Sequence, residues 1–391
     1  MSFDIVSLAR DLIRCPSITP VDAGALDVLT HSLQRLGFTC HRLVFKGDNG
    51  PETQNLFAHI GTGSPHFCFA GHTDVVPAGE EASWQYPPFE GYLDKDGFLY
   101  GRGAVDMKGA IASFVGAVDS FLTTFDVSRG TLSLMITGDE EGTAINGTPK
   151  ILKWLKDKNI NIDFCLVGEP TSCKHLGDTI KIGRRGSLNG TLKTRGVQGH
   201  VAFPERSKNP IPCLLACATA LNQGPRETAS PYFEPTNVEL TSVDVGNQTV
   251  NLIPEEATAQ FNIRFSDQQT PASLETWLET VCQKNASTFS LETSLSGEAE
   301  MLTPGPETDL LERSLEKSLN VKATLSTKGA TSDARFIRHY APVLELGLVG
   351  ETMHQVNERV SVKDLCDLQK VYQEILHQFF KTFSGSSTKD I

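Results

Sequence analysis

No apolar run in this 391-residue sequence approaches the roughly 20 residues that a membrane-spanning helix requires, which excludes a helical membrane protein. No C-x-x-C pair occurs either. The nine cysteines (15, 40, 68, 165, 173, 213, 217, 282 and 366) are odd in number and scattered, and several stand in apolar strand-like runs such as FCFA and FCLV. They read as reduced, mostly buried thiols of a cytoplasmic protein. Basic residues are in deficit, 35 Lys+Arg against 47 Asp+Glu, and a net charge of -12 repels a phosphate backbone, so nucleic acid is not an expected partner. Walker A, G-x-G-x-x-G and internal repeats are absent, which leaves no sign of a nucleotide-cradling loop or a solenoid. At the N-terminus, Ile5, Leu8, Ala9, Leu12 and Ile13 recur at helical spacing while Asp4, Arg10 and Asp11 break any h-region; an amphipathic helix is expected there, not a signal peptide.

What is present is an ordinary globular balance: a hydrophobic fraction of 39% and a charged fraction of 21%, in a chain longer than one core sustains, so two domains are expected. From Thr39 to about Gly168 strand-like and helical runs alternate, the pattern of a sheet with helices on its faces. Three apolar runs in it, FCFAGHTD (67–74), TLSLMITGDEE (131–141) and DFCLVGEP (163–170), each stop abruptly at charged residues. In open α/β sheets ligands gather beyond the carboxyl ends of strands, so the three ends are expected to converge. Between Gly183 and about Ser296 the order becomes strand 186–194, helix 210–222, strands 237–245 and 257–265, helix 271–285 and strand 288–295, which is the ferredoxin-like split βαβ order. Ala257, Ala259, Phe261, Ile263 and Phe265 alternate there with polar residues, predicting one buried and one wet face suited to a lid or a dimer contact. After Gly297 the α/β character returns, with a helix over 306–319, strands near 322–326 and 342–346, a final helix from about Ser361 and a disordered tail SGSSTKD. The domain plan is therefore 1–182 and 297–391 as two parts of a catalytic domain, with 183–296 inserted between them.

The residues that carry chemistry are His72 and Asp74 in GHTDVVP, Asp106 in YGRGAVDMKG, Glu140 and Glu141 in GDEEG, Glu169 in VGEP and His354 in GETMHQVNE. Singly, each reads as a structural or solvated residue. As a group, imidazoles and carboxylates without cysteine form a hard donor set that suits a catalytic metal site. Their number suits two divalent ions, with one carboxylate left over as a base.

This set of motifs, in this order, resembles the M20-type zinc metallopeptidases, the family of aminoacylases, deacylases and carboxypeptidases, over essentially the whole chain. The resemblance implies an α/β catalytic domain with a central mixed sheet flanked by helices, plus an inserted ferredoxin-like α+β lid and dimerisation domain. It implies two zinc ions per subunit, with cobalt able to substitute. One ion is expected on His72, Asp106 and Glu169 and the other on Asp106, Glu141 and His354, with Asp106 bridging. Asp74 is expected to orient the His72 imidazole, and Glu140 to act as general base. His200 matches a lid histidine that reaches the partner subunit's active site, which implies a homodimer.

Within the family, KIGRRGSLNG (181–190), GVQGHVAFP, NLIPEEATAQFNIRF (251–265) and GATSDARF (329–336) most resemble the branch that cleaves N-succinyl-LL-2,6-diaminopimelate to succinate and LL-2,6-diaminopimelate, in lysine and diaminopimelate biosynthesis. Arg184, Arg264 and Arg335 are then expected to bind substrate carboxylates, with Ser187, Asn251 and Thr331 adding neutral hydrogen bonds. Surface ion pairing is the alternative for each arginine. Lys328, Ala330 and Val250 depart from the branch's usual residues and bear on substrate contacts. The rival readings are a related deacylase, such as an acetylornithine deacetylase or an aminoacylase, and a non-catalytic metal-dependent binder on the same fold.

Overall fold

The computed structural model describes residues 3–47, 49–228, 230–329 and 331–383, which form two compact units. The first comprises Met1–Ile182, Leu302–Leu325 and Thr331–Ile391, and the second Gly183–Met301 and Ser326–Ala330. The return to the first unit thus comes at Leu302 rather than 297, because Glu300–Met301 form a short antiparallel ladder with Gly183–Arg184. Ala330 and the tail SGSSTKD lie outside the described residues. Among the described residues no helix is long and apolar enough to cross a membrane.

The first unit is built on an eight-stranded mixed sheet. Its order is Thr39–Gly47, Gly50–Gly61, Thr131–Thr137, His66–His72, Phe164–Val167, Val343–Glu345, Thr179–Lys181 and Thr324–Ser326. The four central strands, from Thr131–Thr137 to Val343–Glu345, run parallel, so their carboxyl ends lie on one edge. Both faces are covered, which is why these strands read as continuous apolar runs rather than alternating ones. On one face Phe67 and Phe69 pack with Phe114 of the Lys108–Leu122 helix and with Tyr372 and Phe379 of the Val362–Phe383 helix. On the other, Cys68 and Ala70 pack with Ile151, Leu152 and Leu155 of the Thr148–Asp157 helix. The Ile5–Ile13 helix buries Ile5, Leu8, Ala9, Leu12 and Ile13, and the Asp4 carboxylate caps its start by accepting the Ser7 N–H at 3.0 Å.

The second unit is a four-stranded antiparallel sheet ordered Asn237–Asp244, Glu256–Phe265, Gly186–Arg195 and Phe289–Gly297. Its helices, Ile211–Leu221 and Pro271–Asn285, contribute Leu214, Cys217, Leu221, Leu274, Leu278 and Cys282 to a core shared with Ala257, Ala259, Phe261, Ile263 and Phe265. Chain order and spatial order together give the ferredoxin-like split βαβ topology.

Candidate active site

Three parallel strands deliver the acidic and imidazole groups to one edge. His72 ends the His66–His72 strand; Glu140 and Glu141 follow Thr131–Thr137, and Glu169 follows Phe164–Val167. Asp106 comes from the turn before the Lys108–Leu122 helix, and the Asp106–Met107 peptide is cis. Gly71 and Gly168 make room for Met107, since a Cβ on either would fall 2.5 and 2.8 Å from its terminal methyl. His354 arrives from a loop near the C-terminus.

These residues form overlapping donor triads. His72, Asp106 and Glu169 are one, and Asp106, Glu141 and His354 another; within each, the donor atoms lie inside 4.8 Å of one another. Asp106 sits between the imidazoles, with Oδ1 3.2 Å from His72 Nε2 and Oδ2 3.2 Å from His354 Nε2. Glu141 Oε1 is 2.8 Å from His354 Nε2, and Glu169 Oε1 is 3.7 Å from His72 Nε2. Glu140 belongs to a third triad with His72 and Glu141, so proximity alone assigns it either a ligand's or a base's place. The buried Glu169 Oε1 has no hydrogen-bond partner, a costly state that a cation at the His72 triad would relieve. Hard oxygen and imidazole donors at this spacing fit a pair of divalent cations.

The surroundings fix these side chains. The His72 Nδ1–H donates to the Asp74 main-chain carbonyl at 2.8 Å, which leaves Nε2 turned to the cluster. The Asp74 carboxylate stands 3.7 Å from Nδ1 and instead accepts the N–H groups of Glu140 (3.2 Å) and Glu141 (3.0 Å). It thus orients the imidazole through its backbone and the paired glutamates through its side chain. Asp139 holds the next stretch by accepting the N–H groups of Thr143, Ile145 and Asn146.

Crowded carboxylates in a dry site make the electrostatics strongly uneven. Burial, reinforced by the Asp333, Glu141 and Asp74 charges, pushes Glu140 up to about 8. Burial and the Asp106 charge push Glu169 well above the usual range. Asp106 moves the other way: its own burial is outweighed by the imidazole hydrogen bonds from His354 and His72, which hold it far below. His354 rises to about 10 on its hydrogen bonds to Asp106 and Glu141. For His72, burial favours the neutral ring, but the Asp106 hydrogen bond and the Glu169 charge overcome it and raise the pKa well above the usual value.

Two residues of this region, Glu358 and Asp333, escape a reading of the motifs alone. Glu358, the last letter of GETMHQVNE, is fully buried and forms a 2.6 Å ion pair with Arg102. Asp333 is buried and accepts the Thr148 hydroxyl at 2.6 Å; burial raises it to about 6. Neither a lone Glu in a loop nor an Asp two residues before an Arg carries a signal that sets it apart from a solvated charge.

The expected substrate residues fall in both units. In the first, Thr331 is exposed, and Arg335 stacks its guanidinium 4.4 Å from the Phe336 ring centroid. In the second, Ser187 and Arg264 face each other across the sheet, and Arg184 stands opposite Glu300. His200 is exposed on a short strand paired with Leu252–Ile253, where the Asn251 carbonyl accepts the Val201 N–H at 3.1 Å, so His200 and Asn251 lie on neighbouring segments.

Residues 68–378 match the model of peptidase family M20/M25/M40. A succinyl-diaminopimelate desuccinylase of Rhodospirillum centenum is 50% identical over 380 residues, covering 97% of this chain and 98% of its own. One of Ehrlichia canis is 47% identical over 381 residues, covering 97% and 99%. Among solved structures, a tripeptidase from Staphylococcus aureus superposes with a TM-score of 0.76 at 17% identity, covering 97% of this chain and 100% of that one. A dinuclear metal-binding peptidase from Bacillus subtilis gives 0.66 at 14%, covering 95% and 96%. With donor triads of hard ligands on the strand ends of an α/β sheet, and a family match across most of its length, the chain belongs to peptidase family M20/M25/M40.

Proposed function

We propose that this chain hydrolyses N-succinyl-LL-2,6-diaminopimelate to succinate and LL-2,6-diaminopimelate, as a two-metal amidohydrolase of the cytoplasm. The observation that carries the reading is the pair of triads sharing Asp106, with Glu140 beside them, in a chain about half identical to named desuccinylases over nearly its full length. The nine free cysteines accord with a reducing compartment.

His72, Asp106 and Glu169 would hold one ion, and Asp106, Glu141 and His354 the other, with zinc the natural occupant and cobalt a working substitute. When bound, such ions polarise an amide carbonyl and acidify water. Glu140 removes a proton from the attacking water and delivers it to the leaving amine. A pKa near 8 before cations arrive, and lower beside them, brings this carboxyl into the range where it can both take and give a proton near neutral pH. Asp74 keeps the imidazole and both glutamates in register. Arg184, Arg264 and Arg335, with Ser187, Asn251 and Thr331, are assigned to the substrate's carboxylates and amide groups. His200 is assigned to the oxyanion of the neighbouring subunit's active site in a homodimer.

Steady-state turnover of succinyl-diaminopimelate against acetylornithine on one preparation tests the substrate. A preference for acetylornithine overturns it, and inactivity on both leaves the binding-protein reading standing. Glu140→Gln on the same assay should lower turnover by about 10²- to 10⁴-fold while metal content stays near two per chain. Loss of metal in step with activity would make Glu140 a ligand.

A further inference from the structure

The two triads are not held alike. His72 is 1% exposed and locked through Nδ1 to the Asp74 carbonyl. The His354 side chain is 44% exposed, so packing does little to fix it. Its main chain lies in the left-handed region (φ 60°), as does that of Asn357 (φ 64°), a state that persists in non-glycine residues when outside bonds enforce it.

For His354 the bonds come from one buried ion pair, whereas the Asn357 side chain accepts the Gln85 N–H at 2.6 Å. Arg102, 2% exposed, donates through Nη2 to the His354 carbonyl at 3.3 Å and the Pro77 carbonyl at 3.4 Å, and through Nη1 to the Gln355 carbonyl at 3.3 Å and to Glu358 Oε2 at 2.6 Å. The Glu358 carboxylate also accepts the N–H groups of Gly103 (3.1 Å), Val105 (2.8 Å) and Asp106 (3.1 Å). The turn that presents Asp106 and the loop that presents His354 are thus tied to each other through two side chains that touch no donor atom of the cluster. Charge-assisted bonds in a dry interior keep their geometry, and a planar guanidinium spans acceptors that a lysine ammonium cannot reach together.

We propose that Arg102 and Glu358 are positioning residues for the ion on Asp106, Glu141 and His354, and that they set its affinity separately from that of the ion on His72, Asp106 and Glu169. The proposal rests on the two-metal reading above. Arg102→Lys keeps a countercharge for Glu358 but gives up the span to the His354 carbonyl. Glu358→Gln turns an amide N–H toward Arg102 and pushes it away by another route.

The test is equilibrium metal content at graded free Zn²⁺ for the wild type, Arg102→Lys, Glu358→Gln, His354→Ala and the double variant Arg102→Lys/His354→Ala, with circular dichroism of each confirming the fold. The wild type should bind two ions. Arg102→Lys and Glu358→Gln should weaken one ion by about 10- to 100-fold, the usual effect of removing a group that orients a ligand, and leave the other within about threefold. In the His354→Ala background, Arg102→Lys should leave the remaining ion's affinity unchanged, because its effect passes through His354. Equal weakening of both ions, or further weakening of the remaining ion in the double variant, overturns the proposal. If Arg102→Lys fails to fold, Glu358→Gln decides alone by the same comparison of the two ions. A wild type that binds fewer than two ions overturns the two-metal reading and this proposal with it.

Discussion

Loading the metal-free protein with two divalent ions should release more than one proton near pH 7. The number follows from the site's own groups. His354, raised to about 10, carries a proton at pH 7 that it must lose to become a ligand, and the upward shifts of His72 and Glu169 add to the proton load of the metal-free site. Glu140, at about 8, is also mostly protonated and adds up to one more if the cations pull it below neutrality. Ordinary values for two imidazoles and the carboxyls would give only about 0.5 proton. The sign is fixed: protons compete with the ions, so affinity falls as pH falls. Each proton released makes the overall two-ion constant rise about tenfold per pH unit. Titration calorimetry with Co²⁺ or Zn²⁺ in buffers of different ionisation enthalpy reads the proton count directly, and His354→Ala should lower it by about one. Release of less than one proton by the wild type would mean that these groups do not share the dry, mutually coupled pocket described here.

Two further outcomes are expected. If each His200 serves the neighbouring subunit's site, Glu140→Ala and His200→Ala refolded together from denaturant should regain about a quarter of wild-type activity, since half the dimers are mixed and each mixed dimer has one whole site; a mixture no more active than its components refutes the shared site. Asp333→Asn tests the buried carboxyl. Because its folded pKa is raised from 3.8 to about 6, the folded state holds a proton that the unfolded chain gives up, so stability falls as pH rises from about 4 to 6. Between pH 4.5 and 7 this makes roughly 2 kcal/mol that the Asn variant should not lose, read from urea denaturation of metal-free protein at those two pH values.

The strand ends and their charged stops were legible because local rules govern them. A strand buried on both faces must be apolar throughout, and the run FCFAGHTD breaks where the chain leaves the sheet at His72. The alternation at 257–265 was legible for the opposite reason, one face being wet; Phe261, Ile263 and Phe265 are buried and Gln260 is exposed. Sheet order was not legible. Val343–Glu345 lies between Phe164–Val167 and Thr179–Lys181, a placement decided by contacts far apart in sequence. The same distance hid the Arg102–Glu358 pair, since residues 256 apart offer no spacing to read. Asp74 shows a finer limit: its place beside His72 follows from the motif, but which of its oxygens meets the imidazole depends on a turn that only coordinates reveal.

The insertion of the second unit has a consequence for how the protein is made. His354, Glu358 and the Val343–Glu345 strand all lie beyond the inserted segment, so a growing chain that has emerged only as far as the second unit lacks a central strand, the long Val362–Phe383 helix that covers Phe67 and Phe69, and one imidazole of the cluster. All four strands of the second sheet lie within Gly183–Met301 and can pair while the first sheet is still incomplete. During that interval Phe67 and Phe69 have Phe114 but not yet Tyr372 or Phe379 to pack against, and Glu169 and Asp106 stand without His354. If His354 holds an ion as proposed, metal capture at full stoichiometry is a late event in synthesis, and a chain truncated before residue 354 would leave the ribosome unable to complete that ion site.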